Sequence, residues 1–105
     1  MRALLEVDLD TETSNKLIKD GTAGSVIQQI LGQLKPEASY FLARNGRRSM
    51  VLIVDLTDEP SVVTTCEPFW VQLGAEIALY PCMNTDDLAE GLKRLAEAAA
   101  SPAPA

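Results

Sequence analysis

The chain contains no histidine. That absence removes the Ser-His-Asp and Cys-His nucleophile schemes and the commonest general base at neutral pH. There are only two cysteines, Cys66 and Cys82. Two are too few for a disulfide framework, and their spacing suits no zinc site, so free buried thiols are expected. Cations are scarce as well: nine Lys and Arg stand against fifteen Asp and Glu, a net charge of −6. Phosphate backbones are bound by clustered cations, and only Arg44, Arg47 and Arg48 cluster, so nucleic acid is not an expected partner. No stretch approaches the ~20 apolar residues that span a bilayer. The opening Met1-Arg2-Ala3-Leu4-Leu5-Glu6 carries a carboxylate too early for a signal peptide. A soluble, cytoplasmic protein is expected. Aromatic residues number five (Tyr40, Phe41, Phe69, Trp70 and Tyr80), so the core must be mostly aliphatic.

What is present is organised around residues 38–56. Two β-rich runs, Ala38 to Arg44 and Arg47 to Leu56, flank Asn45-Gly46, a pair that readily takes the two positive φ values of a type I′ hairpin turn. The turn sets a register in which Arg44 faces Arg47, Leu42 faces Ser49, Tyr40 faces Val51 and Ala38 faces Ile53. Beyond the arginines both faces of this ribbon are largely apolar, whereas a ribbon with one solvated face would alternate cleanly. Both faces should therefore be covered.

Residues 2–9 alternate as a half-buried strand, with Ala3, Leu5, Val7 and Leu9 on one side. Asp10 or Thr11 can cap a short helix ending at Asp20-Gly21, with Leu17 and Ile18 inward. Thr22 or Ser25 starts a second helix whose stripe is Val26, Ile27, Ile30, Leu31 and Leu34, ended by Pro36. Thr57-Asp58-Glu59-Pro60 reads as a further helix start. There Val62 and Val63 open the buried side, Pro68 predicts a kink or restart, Phe69, Trp70 and Leu73 continue it, and Gly74 stops it. Ala75 to Cys82 is a fourth strand. Asn84 or Thr85 caps a last helix carrying Leu88, Leu92 and Leu95, and Ala98 to Ala105 reads as a flexible Ala/Pro tail.

The order strand, helices, strand, strand, helix, strand, helix in 105 residues gives one domain over residues 1–97 and an α+β class. The predicted architecture is a ferredoxin-like βαββαβ unit with a C-terminal helix on a four-stranded antiparallel sheet. The helix-facing side takes Ala3, Leu5, Val7, Phe41, Met50, Leu52, Val54, Ile77 and Leu79. The open side takes Leu4, Glu6, Asp8, Tyr40, Leu42, Val51, Ile53, Glu76, Ala78 and Tyr80. An open side this apolar exceeds what monomers leave exposed, which predicts a homodimer through the open sheet face.

Several runs carry a resemblance. They are Ile18-Lys19-Asp20-Gly21, Leu34-Lys35-Pro36-Glu37-Ala38, Gly46-Arg47-Arg48, Val54-Asp55-Leu56, Glu67-Pro68-Phe69, Ala75-Glu76 and Pro81-Cys82-Met83-Asn84. In these strings residues 16–92 resemble a group of small uncharacterised bacterial proteins, and the layout is similar to the dimeric α+β barrel superfamily, which includes muconolactone isomerases and cofactor-independent monooxygenases. The resemblance implies the fold and the paired sheets. The superfamily's catalytic histidines have no counterpart in a chain without histidine.

Three constellations could carry chemistry. Glu67 beside Pro68, Phe69 and Trp70 could be an acid or base in an apolar setting, or simply a helix cap with rings in the core. Glu6, Asp8 and Glu76, with Tyr80 close by, fall on adjacent strands and could crowd a hard cation or share a proton; strand-end solvation or pairing with arginine is the plainer reading, and no metal is expected. Arg44, Arg47 and Arg48 suit a carboxylate or phosphate, or a solvated turn. Cys66 would need a lowered pKa to act as a nucleophile. Together these predict a small, anionic organic ligand held between sheet and helices by Tyr40, Arg48, Glu67, Phe69, Trp70 and Tyr80, with no cofactor. The alternatives are an isomerase- or monooxygenase-like enzyme using Glu67, and a structural or interaction module without ligand.

Overall fold

A computed structural model of the chain describes residues 1–100. The elements run β1 (Arg2–Asp8), α1 (Thr11–Asp20), α2 (Ala23–Leu34), β2 (Ala38–Arg44), β3 (Arg47–Asp55), α3 (Ser61–Leu73), β4 (Glu76–Pro81) and α4 (Thr85–Ala100). The four strands form one antiparallel sheet in the order β2-β3-β1-β4. This is a ferredoxin-like βαββαβ fold with a C-terminal helix.

The hairpin turn sets the sheet. Asn45 and Gly46 sit at φ 53° and 74°, and the β2–β3 register pairs Tyr40 with Val51 and Ala38 with Ile53, as the Asn-Gly turn predicts. Strand β1 then pairs centrally with β3 and β4, placing Ala3, Leu5 and Val7 on the same side as Met50, Leu52 and Val54. All six are buried, together with Ile30, Phe69 and Leu73 from the helices above them. Ile77 and Leu79 pack at the edge of this core. Phe41 does not join it. The helix layer covers the central strands and stops short of the edge strand β2, so Phe41 is 59% exposed.

The helices start where side-chain caps are available. Asp10 accepts from the Thr13 backbone N–H at 2.9 Å and from its hydroxyl at 2.8 Å, opening α1. Leu17 faces the core, but Ile18 is turned to solvent, and Ser14 takes the buried position instead. The five-residue stripe of α2 packs as its spacing predicts, and α2 ends with Lys35 in the left-handed region before Pro36.

Helix α3 starts on the expected capping segment but departs from the sequence expectation in its rotation and in not restarting at Pro68. It begins at Ser61, whose backbone N–H donates to Asp58 Oδ1 at 3.0 Å. It runs through Pro68 without a break. The carbonyl that Pro68 cannot serve belongs to the exposed Thr64, where water can serve it. Its buried side is Thr65, Cys66, Phe69 and Leu73, not Val62, Val63 and Trp70. Apolar residues lie all round this segment, so its rotation is set by packing rather than by pattern. Gly74 closes α3 at φ 56°, and a Cβ there would come within 3.2 Å of Asp10 Cβ. Glycine is needed there both for the positive φ and for the close approach to the start of α1.

Helix α4 stands apart. Asn84 Oδ1 accepts from the Asp87 N–H at 2.8 Å and Asp87 Oδ2 from the Asn84 N–H at 3.1 Å, a reciprocal cap. Arg2 pairs with Asp87 and ties down this first turn. Beyond it the helix continues to Ala100, so residues 98–100 of the expected tail are helical. Residues 101–105 lie outside the described residues. No residue of α4 is buried, and the molecule extends 61 × 27 × 24 Å with a radius of gyration of 17.8 Å, against ~13 Å for a compact chain of this length.

The core assignment makes a prediction. Replacing Phe69 by Ala should cost about 3–5 kcal/mol of unfolding free energy in urea melts, while Phe41→Ala should cost less than about 1 kcal/mol. Equal losses at the two positions would contradict this division of the sheet.

Candidate functional site

Among the described residues no helix packs on the side of the sheet away from α1, α2 and α3. The pairing registers arrange it as three rows across all four strands: Ala38–Ile53–Leu4–Tyr80, Tyr40–Val51–Glu6–Ala78 and Leu42–Ser49–Asp8–Glu76. The first row and most of the second are apolar. Tyr40 and Tyr80, on the two edge strands, are 68% and 52% exposed.

The third row and the hairpin tip form a polar network. Arg44 reaches across β3 to Glu6 Oε2 at 3.2 Å and to Asp8 Oδ1 at 2.7 Å. The largely buried Ser49 hydroxyl donates to the same Asp8 oxygen at 2.7 Å. Arg47 donates to the backbone carbonyls of Leu9 and Asp8 at 3.0 and 3.2 Å and pairs with Glu76 at 3.2 Å. Donation from Ser49, followed by that from Arg44, holds the Asp8 carboxyl below the usual aspartate range. The carboxylates that crowd this end of the sheet are thus each paired with an arginine inside the chain. Among the described residues no group of three or more His, Cys, Asp or Glu side chains could hold a metal ion. The role of Ser49 was recoverable from the hairpin register, which puts its small hydroxyl opposite Asp8 once β1 pairs with β3.

The six residues expected to line one cavity are distributed over four places. Tyr40 and Tyr80 lie on opposite edges of the open face. Phe69 is fully buried in the core between sheet and helices. Glu67 and Trp70 lie on the outward side of α3. Arg48 points to α1, donating to Ser14 Oγ at 2.8 Å and Asn15 Oδ1 at 2.9 Å.

The surface clefts are elsewhere. One of about 280 Å³ lies between α2 and α3, beside Ile30, Gln33, Thr64 and Pro68. Another of about 380 Å³ is lined by Arg2, Lys35, Glu37, Val54 and Asp55, and a third of about 210 Å³ runs beside Leu56, Val62 and Leu79. None of the six expected residues lines any of these three. Burial pushes the Cys66 thiol up, the opposite of what a nucleophile needs. No helix among the described residues is long and apolar enough to cross a membrane.

No protein-family model matches this chain, and no curated protein matches it in sequence.

The polar network has a pH signature. The folded-state pKa of Asp8 lies below its ordinary value of 3.8. Its contribution is therefore complete above that value and is lost as pH falls through the lower, folded one. Asp8→Asn should cost about 1–2 kcal/mol at pH 7, with Asp8 only 22% exposed. The gap to the wild type should narrow as the pH is taken progressively below 3.8. A gap independent of pH would mean that the carboxylate charge plays no part.

Proposed function

We propose that this protein is a homodimeric association module, two chains packed through the open faces of their sheets into a closed α+β barrel. The observation that carries this reading is the apolar patch of Leu4, Val51, Ile53, Ala78 and the two tyrosines, continuous across four strands and uncovered. Burying roughly 600 Å² of such surface contributes on the order of 15 kcal/mol at ~25 cal/mol per Å², against about 4–15 kcal/mol of lost freedom on association. The Arg44–Glu6–Asp8 network supports the same reading, because charges already paired within one chain can be taken out of water at less cost than unpaired ones. The likeness of the layout to the dimeric α+β barrel superfamily agrees with it. A reducing, cytoplasmic setting suits two free thiols.

A small anion held between sheet and helices has less to stand on. Phe69 fills that space, and Arg48 is engaged by Ser14 and Asn15. Two of the three clefts fall below the ~300 Å³ at which ligand pockets begin. An enzyme built on Glu67 would need a substrate held against the open outer side of α3, away from these clefts.

Sedimentation equilibrium tests the dimer directly. The wild type should sediment at twice the 11.3 kDa chain mass at micromolar concentration. Ile53→Lys, at a half-buried position in the centre of the patch, should sediment as a folded monomer with an unchanged far-UV spectrum. A wild type that stays monomeric at micromolar concentration would rule the reading out.

A further inference from the structure

The two edge strands of the sheet, β2 and β4, carry unused backbone groups, and the bonds around them fix which ones. The Arg48 carbonyl accepts from the Leu9 N–H at 2.9 Å, on the β1 side, and the Ile53 carbonyl accepts from the Glu37 N–H at 2.8 Å, on the β2 side. Backbone groups alternate in direction along an antiparallel strand. Ser49 and Val51 therefore bond toward Leu42 and Tyr40. The residues opposite Arg48, Met50 and Leu52, which are Ala43, Phe41 and Ser39, turn their N–H and C=O outward. At the other edge the Cys82 N–H reaches the Arg2 carbonyl at 3.1 Å, so Ile77 and Leu79 point outward by the same alternation. Among the described residues no backbone bond from another element engages any of these groups.

Neither edge is built to stay bare. Residues 38–43 hold no charge and no proline, the devices that keep an edge strand from pairing. On β4 proline comes only at the last position, Pro81. On both edges the outward groups belong to residues whose side chains face the helix layer: the exposed Phe41 on β2, and Ile77 and Leu79 at the rim of the core on β4. One edge joined to the other therefore keeps the helix-facing and open sides in phase.

Two kinds of two-fold axis can close a barrel from two such sheets. An axis across the strands joins each edge to its own copy. It also sets the Glu6–Asp8–Glu76 end of one face against the Leu4–Ile53–Tyr80 end of the other, taking carboxylates out of water without return. An axis along the strands joins β2 to the partner's β4 in antiparallel sense and brings both polar ends to one mouth of the barrel, where water reaches them. We propose that β2 pairs with the partner's β4, and β4 with the partner's β2, as the two seams of the barrel. This rests on the homodimer reading and specifies how it closes. The axis makes the seams identical, so no open edge is left. The contact is chiefly backbone pairing. It also places Phe41 beside the partner's Ile77 and Leu79, the cover that its own helix layer does not give it.

Amide exchange on the full chain reads the seams directly. In the wild-type dimer the N–H groups of Ser39, Phe41 and Ala43, and those of Ile77 and Leu79, should exchange at least about a hundredfold more slowly than in the Ile53→Lys monomer. Those of Tyr40 and Leu42, already bonded within the hairpin, should be protected in both. Phe41→Pro removes an outward donor but no bond of the β2–β3 ladder, so it should weaken the dimer at least about tenfold with an unchanged far-UV spectrum. In a Cys82→Ser background, with Cys66 buried, a short bismaleimide should join Phe41→Cys chains to Leu79→Cys chains in preference to joining either to itself. If the wild type is a dimer split by Ile53→Lys, yet the outward amides exchange equally fast in both, the seams are wrong and the face contact stands. Preferential self-linking of the Phe41→Cys chain would overturn the proposal in favour of an axis across the strands. A monomeric wild type would overturn both readings together.

Discussion

The two positive φ values at Asn45 and Gly46 constrain everything else on the sheet. They fix the β2–β3 pairing, and a slip of one residue would send every side chain of a strand to the opposite face. With the turn in place, Met50, Leu52 and Val54 must face the helices, and Val51 and Ile53 must face away. Because β1 pairs with β3 in matching phase, Leu4, Glu6 and Asp8 join the open side. The apolar patch and the polar network beside it are therefore consequences of one turn.

Most of the architecture was legible because it depends on local rules. Alternation identifies β1, the Asn-Gly pair identifies the hairpin, and Asp10, Pro36, Gly74 and Asn84 mark helix boundaries through caps and forbidden backbone conformations. The open face was legible too, since a strand's period of two leaves no freedom once the register is known. The rotation of α3 was not. Val62, Val63, Cys66, Phe69, Trp70, Val71 and Leu73 offer several apolar stripes, and only the fit of Phe69 and Leu73 into the sheet selects one. Phe41 was misplaced for a related reason: its phase on the strand was right, but how far the helix layer extends over an edge strand is not written in local pattern.

The grouping of the six expected site residues departs from the structure at the same point. It required Glu67, Phe69 and Trp70 to act as one cluster because they are adjacent in sequence. On a helix, residues one apart are turned about 100° from each other. Phe69 therefore enters the core while Trp70 and Glu67 point outward. The arginines likewise separate by strand parity. Arg44 and Arg47 join the open-face network, and Arg48, one residue on, crosses to α1.

That separation of the arginines bears on what burying the open face in the proposed homodimer would cost. A sheet with Glu6 and Asp8 in its interior rows would resist desolvation if those carboxylates relied on water. Arg44 bridges both from the neighbouring hairpin, Ser49 supplies a further donor to Asp8, and Arg47 holds Glu76 at the rim. The network sums to about one negative charge, from three carboxylates and two guanidiniums, and it lies at one end of the face, leaving the Leu4–Ile53–Tyr80 end dry. A face so divided favours one alignment of an apposed copy, because any shift that laid one chain's acids on the other's apolar end would desolvate charge without return. In the proposed homodimer the polar third of the face would contribute orientation, and the apolar two-thirds would contribute affinity.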